Sequence, residues 1–314
     1  MGAEHPKRGR APLPPAPAAV LLVGGLDPTA GAGLGADVRA VGLAGGWGCP
    51  ACAALTVQST RGVRAVAAVS TALLGAQIDE ILGDVAPRVA KTGALGSAGN
   101  VRWVARRLSP ARSGLVLVVD PVLQPTRWRA RAAAGAAAGL SGSGALAAMR
   151  ELAAVSSLLT PNVPEAETLL GADIASPAAV RDAAMALLER GAHAVLLKGG
   201  HLPATRTRCA ASLAVRGPVV DWLATAGGLH RLERTRLAGP NIHGTGCVLA
   251  SLVAGRLAVA LAARPARRRA AAPEADELLS AVRWARARLD RLMRAAVRLG
   301  AGAPVLGFRV AASR

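Results

Sequence analysis

Short apolar runs alternate along this chain with longer stretches whose apolar residues recur every three or four positions, which predicts strands and helices in turn. Residues 19–23 form the first run and end at Gly24-Gly25. They feed the loop Asp27-Pro28-Thr29-Ala30-Gly31-Ala32-Gly33 and a helix predicted to carry Asp37 and Arg39 on its polar side. Residues 52–57 predict a second strand that closes in the polar set Gln58-Ser59-Thr60-Arg61-Gly62. A helix follows at 71–84, with Leu73, Leu74, Ile78, Ile81 and Leu82 on its core side. The pattern continues through a strand at 89–95, a helix at 101–108 and the wholly apolar run 115–119, which suits a strand covered on both faces and ends in Asp120-Pro121.

Beyond this point residues 126–144, rich in Arg, Ala and Gly, lack any period and read as a mobile loop or lid. A helix at 145–154 leads to the run 156–160 and to Pro161-Asn162-Val163-Pro164-Glu165. Another, at 177–190, leads to a strand at 192–197 and to Lys198-Gly199-Gly200-His201. Strand-like pieces at 211–215 and 219–223 predict an antiparallel edge hairpin, and two long helices, 245–262 and 273–299, follow. Repeated strand-then-helix order predicts an α/β fold with a mostly parallel central sheet and helices on both faces. We read a single domain over residues 19–314, its packed part closing near Phe308, behind a flexible, basic, Pro-rich tail at 1–18.

With 314 residues, 52% of them hydrophobic and 2% aromatic, the chain can bury a large core and must build it from Ala, Leu and Val. The net charge of +19 invites a nucleic-acid partner. Its arginines, however, are spread without aromatic residues between them to stack on bases, so no specific nucleic-acid binding is expected. Basic surface gathers at residues 264–269 and along Arg283, Arg286, Arg288, Arg291, Arg294 and Arg298, where acidic metabolites would be attracted. Cys49, Cys52, Cys209 and Cys247 are too few and dispersed for a disulfide framework, so a reducing cytoplasm is expected. Cys49-Pro50-Ala51-Cys52 reads as strand residues rather than a redox pair. Arg or Gly interrupts every long apolar stretch, and no membrane span is expected.

The chemistry centres on Asn241-Ile242-His243-Gly244-Thr245-Gly246-Cys247, directly before an apolar helical run. Glycines and a hydroxyl opening a helix leave backbone N–H groups unpaired at its positive end, where an anion such as phosphate is best held. Cys247 would stand in the first turn, where the dipole is expected to favour its thiolate and let it take a proton from an alcohol. Asp27, Gln58, Lys91, Asp120, Asn162 with Glu165, and Lys198 each close a predicted strand, and right-handed crossovers send successive strand ends to one edge of a parallel sheet. Carboxylates, lysines and an anion-binding turn in one place suit magnesium-dependent ATP chemistry. Gly31, Gly33 and Ala36 match G-x-G-x-x-A, but they stand far from the strand and no acidic residue ends the next one, which sets a dinucleotide fold aside. Neither a P-loop nor a protein-kinase signature set occurs.

Taken in order, residues 25–33, 58–63, Lys91-Thr92-Gly93, Asp120-Pro121-Val122, 160–166, 198–201 and 243–247 resemble the ribokinase-like family, and within it the hydroxymethylpyrimidine/phosphomethylpyrimidine kinases of thiamine synthesis. The resemblance implies an enzyme that uses ATP and Mg²⁺ to phosphorylate 4-amino-5-hydroxymethyl-2-methylpyrimidine and then its monophosphate. It also implies that Cys247 is the catalytic residue facing the hydroxymethyl group and that Gly244, Thr245 and Gly246 form the anion hole. Gln58, Asp37 and Asp27 are implied as substrate contacts, an amide being well matched to an aminopyrimidine edge. Lys198, Asn162 and Glu165 are implied at the ATP phosphates, and Asp120 with Glu165 at the metal. Ala30 stands where many relatives have glycine, Gly35 where glutamine is common, Ser59 where asparagine is usual, and Ala94 where a methionine often covers the pyrimidine ring. The expected partners are the small pyrimidine alcohol and its monophosphate, and a homodimer is compatible with the family. A pyridoxal kinase of the same fold, a noncatalytic pyrimidine-binding regulator and a polyanion-binding protein are the alternatives.

Overall fold

The computed structural model describes residues 15–123, 143–201, 218–265 and 272–308. Its strands are β1 (Ala19–Leu26), β2 (Trp47–Ser59), β3 (Gly62–Ala68), β4 (Val89–Thr92), β5 (Val116–Val119), β6 (Leu158–Leu159), β7 (Ala194–Leu197), β8 (Val219–Thr225) and β9 (Gly228–Arg234). The helices are α1 (Gly33–Leu43), α2 (Thr71–Asp84), α3 (Ala98–Leu108), α4 (Pro110–Ser113), α5 (Ser143–Ala154), α6 (Val163–Leu170), α7 (Pro177–Glu189), α8 (Thr245–Ala262) and α9 (Ala275–Arg294).

These strands form a nine-stranded sheet in the order β3-β2-β1-β4-β5-β6-β7-β8-β9. β1 pairs in parallel with both β2 and β4, and parallel pairing runs on through β5, β6 and β7. Antiparallel strands close both edges, β3 on one side and β8 with β9 on the other. The chain leaves β1 for β2 and then returns past β1 to β4, so strand order reverses there. Ligands of open α/β sheets bind in the crevice at such a reversal.

Successive strand residues face opposite sides, so each buried strand feeds two cores. Leu21, Val23, Leu117 and Val119 pack with Leu74 of α2, Val104 of α3, Met149 of α5 and Leu187 of α7. Val20, Leu22, Val116 and Val118 pack with Val41 of α1, Leu252 of α8 and Val282 of α9. α8 is long and apolar enough to cross a membrane, yet 61% of it is buried within this core, which is where a helix apolar all round belongs. Each of its buried leucines contributes about 1.5–3 kcal/mol. Helix starts are set locally: Ser70, Ser97 and Ser176 accept from Leu73 N, Asn100 N and Ala179 N, caps worth about 1 kcal/mol each.

Three expectations change. Residues 219–223 do enter an edge hairpin, but their partner is the later segment Gly228–Arg234; the earlier piece at 211–215 lies outside the described residues. β3 is an addition, made by β2 running on through Gln58 and reversing at Gly62, whose φ of +123° suits glycine. α6 is a further addition, a helix opened by Asn162. The tail up to residue 14, residues 126–142 of the predicted lid, Cys209 and the basic run 266–269 lie outside the described residues.

Candidate active site

Every strand-end residue singled out in the sequence reaches one cavity of about 460 Å³. Asp27, Asp37, Gln58, Lys91, Asp120, Asn162, Glu165 and Lys198 line it together with the turn Gly244-Thr245-Gly246-Cys247. The crossover argument therefore holds.

The turn is built for close approach. Gly244 has φ +86°, and a Cβ there would lie 2.1 Å from the Gly31 carbonyl oxygen. It caps α8 with no side-chain hydrogen bond, so the first N–H groups of an 18-residue helix are left for a ligand. A Cβ on Gly246 would stand 3.3 Å from Lys198 Nζ, so the missing side chain lets the ammonium lie against the turn.

Around Cys247 the charges fall into two groups. On one side, Lys91 Nζ donates to Asp37 Oδ2 at 2.8 Å and Ser251, one turn after Cys247 on α8, donates to Asp37 Oδ1 at 2.8 Å. Burial opposes the Lys91 charge, but Asp37 outweighs it and holds the ammonium above the ordinary lysine range. Asp37 is thus buried, contrary to its expected place on the polar side of α1, because Lys91 reaches across from β4 to pair with it. It lines the cavity with both oxygens already engaged.

On the other side, Lys198 Nζ donates to Asp120 Oδ1 at 3.0 Å. Burial raises the Asp120 carboxyl, yet Lys198 and Lys91 together bring it below its usual range. Asn162 and Glu165 close a capping box at α6: Asn162 N donates to Glu165 Oε2 at 2.8 Å and Glu165 N donates to Asn162 Oδ1 at 2.9 Å. Lys198 N donates to Pro161 O at 2.8 Å, which fixes the lysine beside that box. Desolvation and the nearby Asp120 push the Glu165 carboxyl up to about 7, against the pull of Lys198. A cation bound here would favour the ionised form of Glu165 and relieve its repulsion with Asp120. Among the described residues no three acidic, His or Cys side chains form a complete metal cage. Two carboxylates suit Mg²⁺ nonetheless, since it keeps waters and takes its other oxygens from phosphates.

The expectation for Cys247 is overturned. Desolvation first, and then Asp120, push its thiol up to about 12, against the opposing pull of Lys91 and Lys198. Burial, with Asp120 from the end of β5 and Asp37 from α1, works against the thiolate that the helix start would favour.

The opposite wall is a network that the sequence only half revealed. Asp27 Oδ1 accepts from Thr29 N and Thr29 Oγ1, and Asp27 Oδ2 accepts from Ala32 N at 3.0 Å. His243 Nε2 lies 3.2 Å from Asp27 Oδ2 and 3.0 Å from the Gln58 amide. The far end of that amide lies 3.3 Å from Thr56 Oγ1, which donates to Leu26 O at 2.8 Å. Burial raises the Asp27 carboxyl, but bonds from His243 and Thr29 carry it below its ordinary value. His243 and Thr56 were not foreseen; adjacency to the Gly244 turn was the available signal for His243.

A strap after α9 braces this wall. His243 N donates to Pro304 O at 2.9 Å, Gly302 N to Thr60 Oγ1 at 3.2 Å and Ala303 N to Thr60 O at 2.9 Å. Arg236 also lines the cavity, giving one bond to Gly200 O at 3.2 Å while its buried Nε has no partner.

Comparison with known proteins gives the family and the fold. The phosphomethylpyrimidine kinase family matches residues 27–305. The thiamine biosynthesis bifunctional protein ThiED of Geobacter sulfurreducens is 40% identical over 250 residues, covering 79% of this chain and 46% of that protein, so the chain spans about half the length of that relative. The hydroxymethylpyrimidine/phosphomethylpyrimidine kinase of Escherichia coli is 34% identical, covering 74% of this chain and 80% of that protein. Among solved structures, the pyridoxal kinase of Staphylococcus aureus in complex with AMP-PCP and pyridoxal superposes with a TM-score of 0.73 at 21% identity, covering 94% of each chain, a likeness of fold. The sheet is that of the ribokinase-like kinases, and with residues 27–305 inside the family match, the chain belongs to the phosphomethylpyrimidine kinase family.

Proposed function

We propose that this protein transfers the terminal phosphoryl group of ATP to the hydroxymethyl oxygen of 4-amino-5-hydroxymethyl-2-methylpyrimidine, and then to the phosphate of the monophosphate so formed. The observation that carries this reading is the side-chain-free start of α8 at Gly244, set between an amide-bearing wall at Gln58 and a lysine–carboxylate rim at Lys198, Asp120 and Glu165. Family membership and the E. coli and Geobacter relatives support the substrate class.

In this reading the N–H groups of Thr245 and Gly246, with Lys198 beside them, receive the transferring group, where aligned donors in a water-poor site stabilise charge best. Asp120 and Glu165 would hold Mg²⁺, which when bound offsets charge on the phosphate chain. Asn162 keeps Glu165 in place through the capping box. Gln58 recognises the pyrimidine edge, Asp27 fixes the loop beneath it, and Asp37 holds Lys91 near Cys247.

Cys247 keeps its proton in the free enzyme. Desolvation is the first cause of that and Asp120 the second, so a cation on Asp120 would lessen the upward push while burial still favours the thiol. A loose phosphoryl-transfer transition state asks mainly for alignment of the alcohol, so its proton can leave late, to an oxygen of the arriving phosphoryl group, while the Cys247 thiol lies beside the hydroxyl and positions it.

The test is an ATP-consumption assay with the pyrimidine alcohol, its monophosphate and pyridoxal, with products identified by mass. Phosphorylation of the two pyrimidines supports the reading. Turnover of pyridoxal alone would replace it with the pyridoxal kinase alternative.

A further inference from the structure

The wall around Gln58 contains a conflict of protons whose solution assigns a role to His243. With Nε2 of Gln58 against Nε2 of His243, the 3.0 Å contact needs an unprotonated ring nitrogen. That nitrogen would then face the Asp27 carboxylate at 3.2 Å, lone pair against lone pair. The other end of the amide fares no better. Thr56 has a single hydroxyl proton, given to Leu26 O at 2.8 Å, so it has none for an amide oxygen at 3.3 Å.

A half-turn of the amide removes both conflicts. The Gln58 oxygen then accepts from His243 Nε2–H, which Asp27 also attracts. The Gln58 NH₂ group donates to the free lone pair of Thr56 Oγ1. Each end of the side chain gives the same answer independently, and the orientation of an amide is decided by such a network. Asp27 is held ionised by its bonds from Thr29 and Ala32, so it remains an acceptor.

We propose that His243, locked with its proton on Nε2 by Asp27, is a specificity-determining positioning residue that fixes which way the Gln58 amide faces. This rests on the function proposed above, in which Gln58 meets the pyrimidine. An amide offers a neighbouring donor and acceptor on its free edge, and a 4-aminopyrimidine offers the complementary acceptor and donor. A 4-oxopyrimidine carries an N–H and a C=O there, the reverse order. The orientation set by His243 therefore separates the two rings, since a mismatched edge leaves partly buried polar groups unpaired. The strap supports this, because His243 N is held by Pro304 O and the imidazole is thereby aimed at both partners.

The experiment compares 5-hydroxymethyl-2-methylpyrimidines bearing a 4-amino or a 4-oxo group as phosphate acceptors, using the full chain, His243→Phe and His243→Gln. Long-range ¹H–¹⁵N NMR of the wild-type imidazoles, with His243 identified by its loss in His243→Gln, reads the ring proton directly. The expected result is a proton on Nε2 and a preference for the amino alcohol that falls by about ten- to a hundredfold in His243→Phe. Glutamine can donate to both Asp27 and Gln58, so His243→Gln is expected to recover most of that preference. An unprotonated Nε2 in the wild type, or an unchanged amino-to-oxo ratio in His243→Phe, would overturn the assignment. Turnover of neither alcohol by the wild type would instead defeat the proposed function, and the NMR signal would still decide where the His243 proton sits.

Discussion

Two lysine–aspartate pairs flank the start of α8, and they do different jobs with the same residue types. Lys91 and Asp37 are 2.8 Å apart with side chains 0% and 1% exposed, and Ser251 takes the remaining carboxylate oxygen. Lys198 and Asp120 are 3.0 Å apart at 12% and 2% exposed, and beside them burial and Asp120 push the Glu165 carboxyl up to about 7 against the pull of Lys198. In the first group both carboxylate oxygens are engaged from within; in the second, by the function proposed above, Mg²⁺ and a phosphate would complete the set. The difference lies in the carboxylates, since both oxygens of Asp37 are taken, by Lys91 and Ser251, while among the described residues only Oε2 of Glu165 accepts a bond.

The contrast is sharpest in the lysines. Lys91→Met strands a buried carboxylate and is expected to cost about 3–5 kcal/mol of stability, measured by denaturant unfolding. Lys198→Met should unfold at nearly the wild-type midpoint, because Lys91 also faces Asp120, yet lose about 10²–10³-fold in kcat. Equal stability losses in the two variants would erase the distinction. Cys247→Ala is expected to lower turnover by about a hundredfold, with pyrimidine affinity by calorimetry little changed. Wild-type turnover in that variant would remove the thiol from the chemistry. Glu165→Gln should raise the Mg²⁺ concentration for half-maximal rate by roughly tenfold, equivalent to about 1.4 kcal/mol, and an unaltered metal titration would discard its assignment.

The smallest effect concerns the thiol itself. At pH 8 a thiol pushed up to about 12 holds far less thiolate than an ordinary cysteine, so iodoacetamide should label Cys247 slowly, as followed by peptide mass. Asp120→Asn removes one upward push and should speed that labelling; slower labelling would contradict the charge balance drawn here.

The sheet and the gathering of polar strand ends were legible because they follow from chain direction and crossover handedness, which need no knowledge of side-chain contacts. What was not legible depends on residues far apart in sequence. Helical period alone placed Asp37 outward, and only Lys91, 54 positions later, explains its burial. The dipole argument for Cys247 omitted Asp120, which arrives from β5. β3 was missed because residues 62–68 carry a weak apolar pattern whose pairing is supplied by β2. Two departures from the family pattern looked independent and are coupled. Ala30 sits at φ +52°, where glycine is favoured, and a Cβ at Gly35 would lie 2.7 Å from the Ala30 Cβ. The added methyl at one position is accommodated by the missing side chain at the other.

The strap that runs from α9 to Val305 sets a schedule as well as a shape. Gly302 bonds to Thr60 across 242 positions of sequence, and Pro304 reaches back to His243. While the chain is being synthesised, the strands from β1 to β7 emerge before the strap, so the rim at Thr60 and His243 stays unfastened until residues 302–304 have been made. A nascent chain stalled before residue 300 would therefore carry the sheet without the bonds that fasten Thr60 and His243.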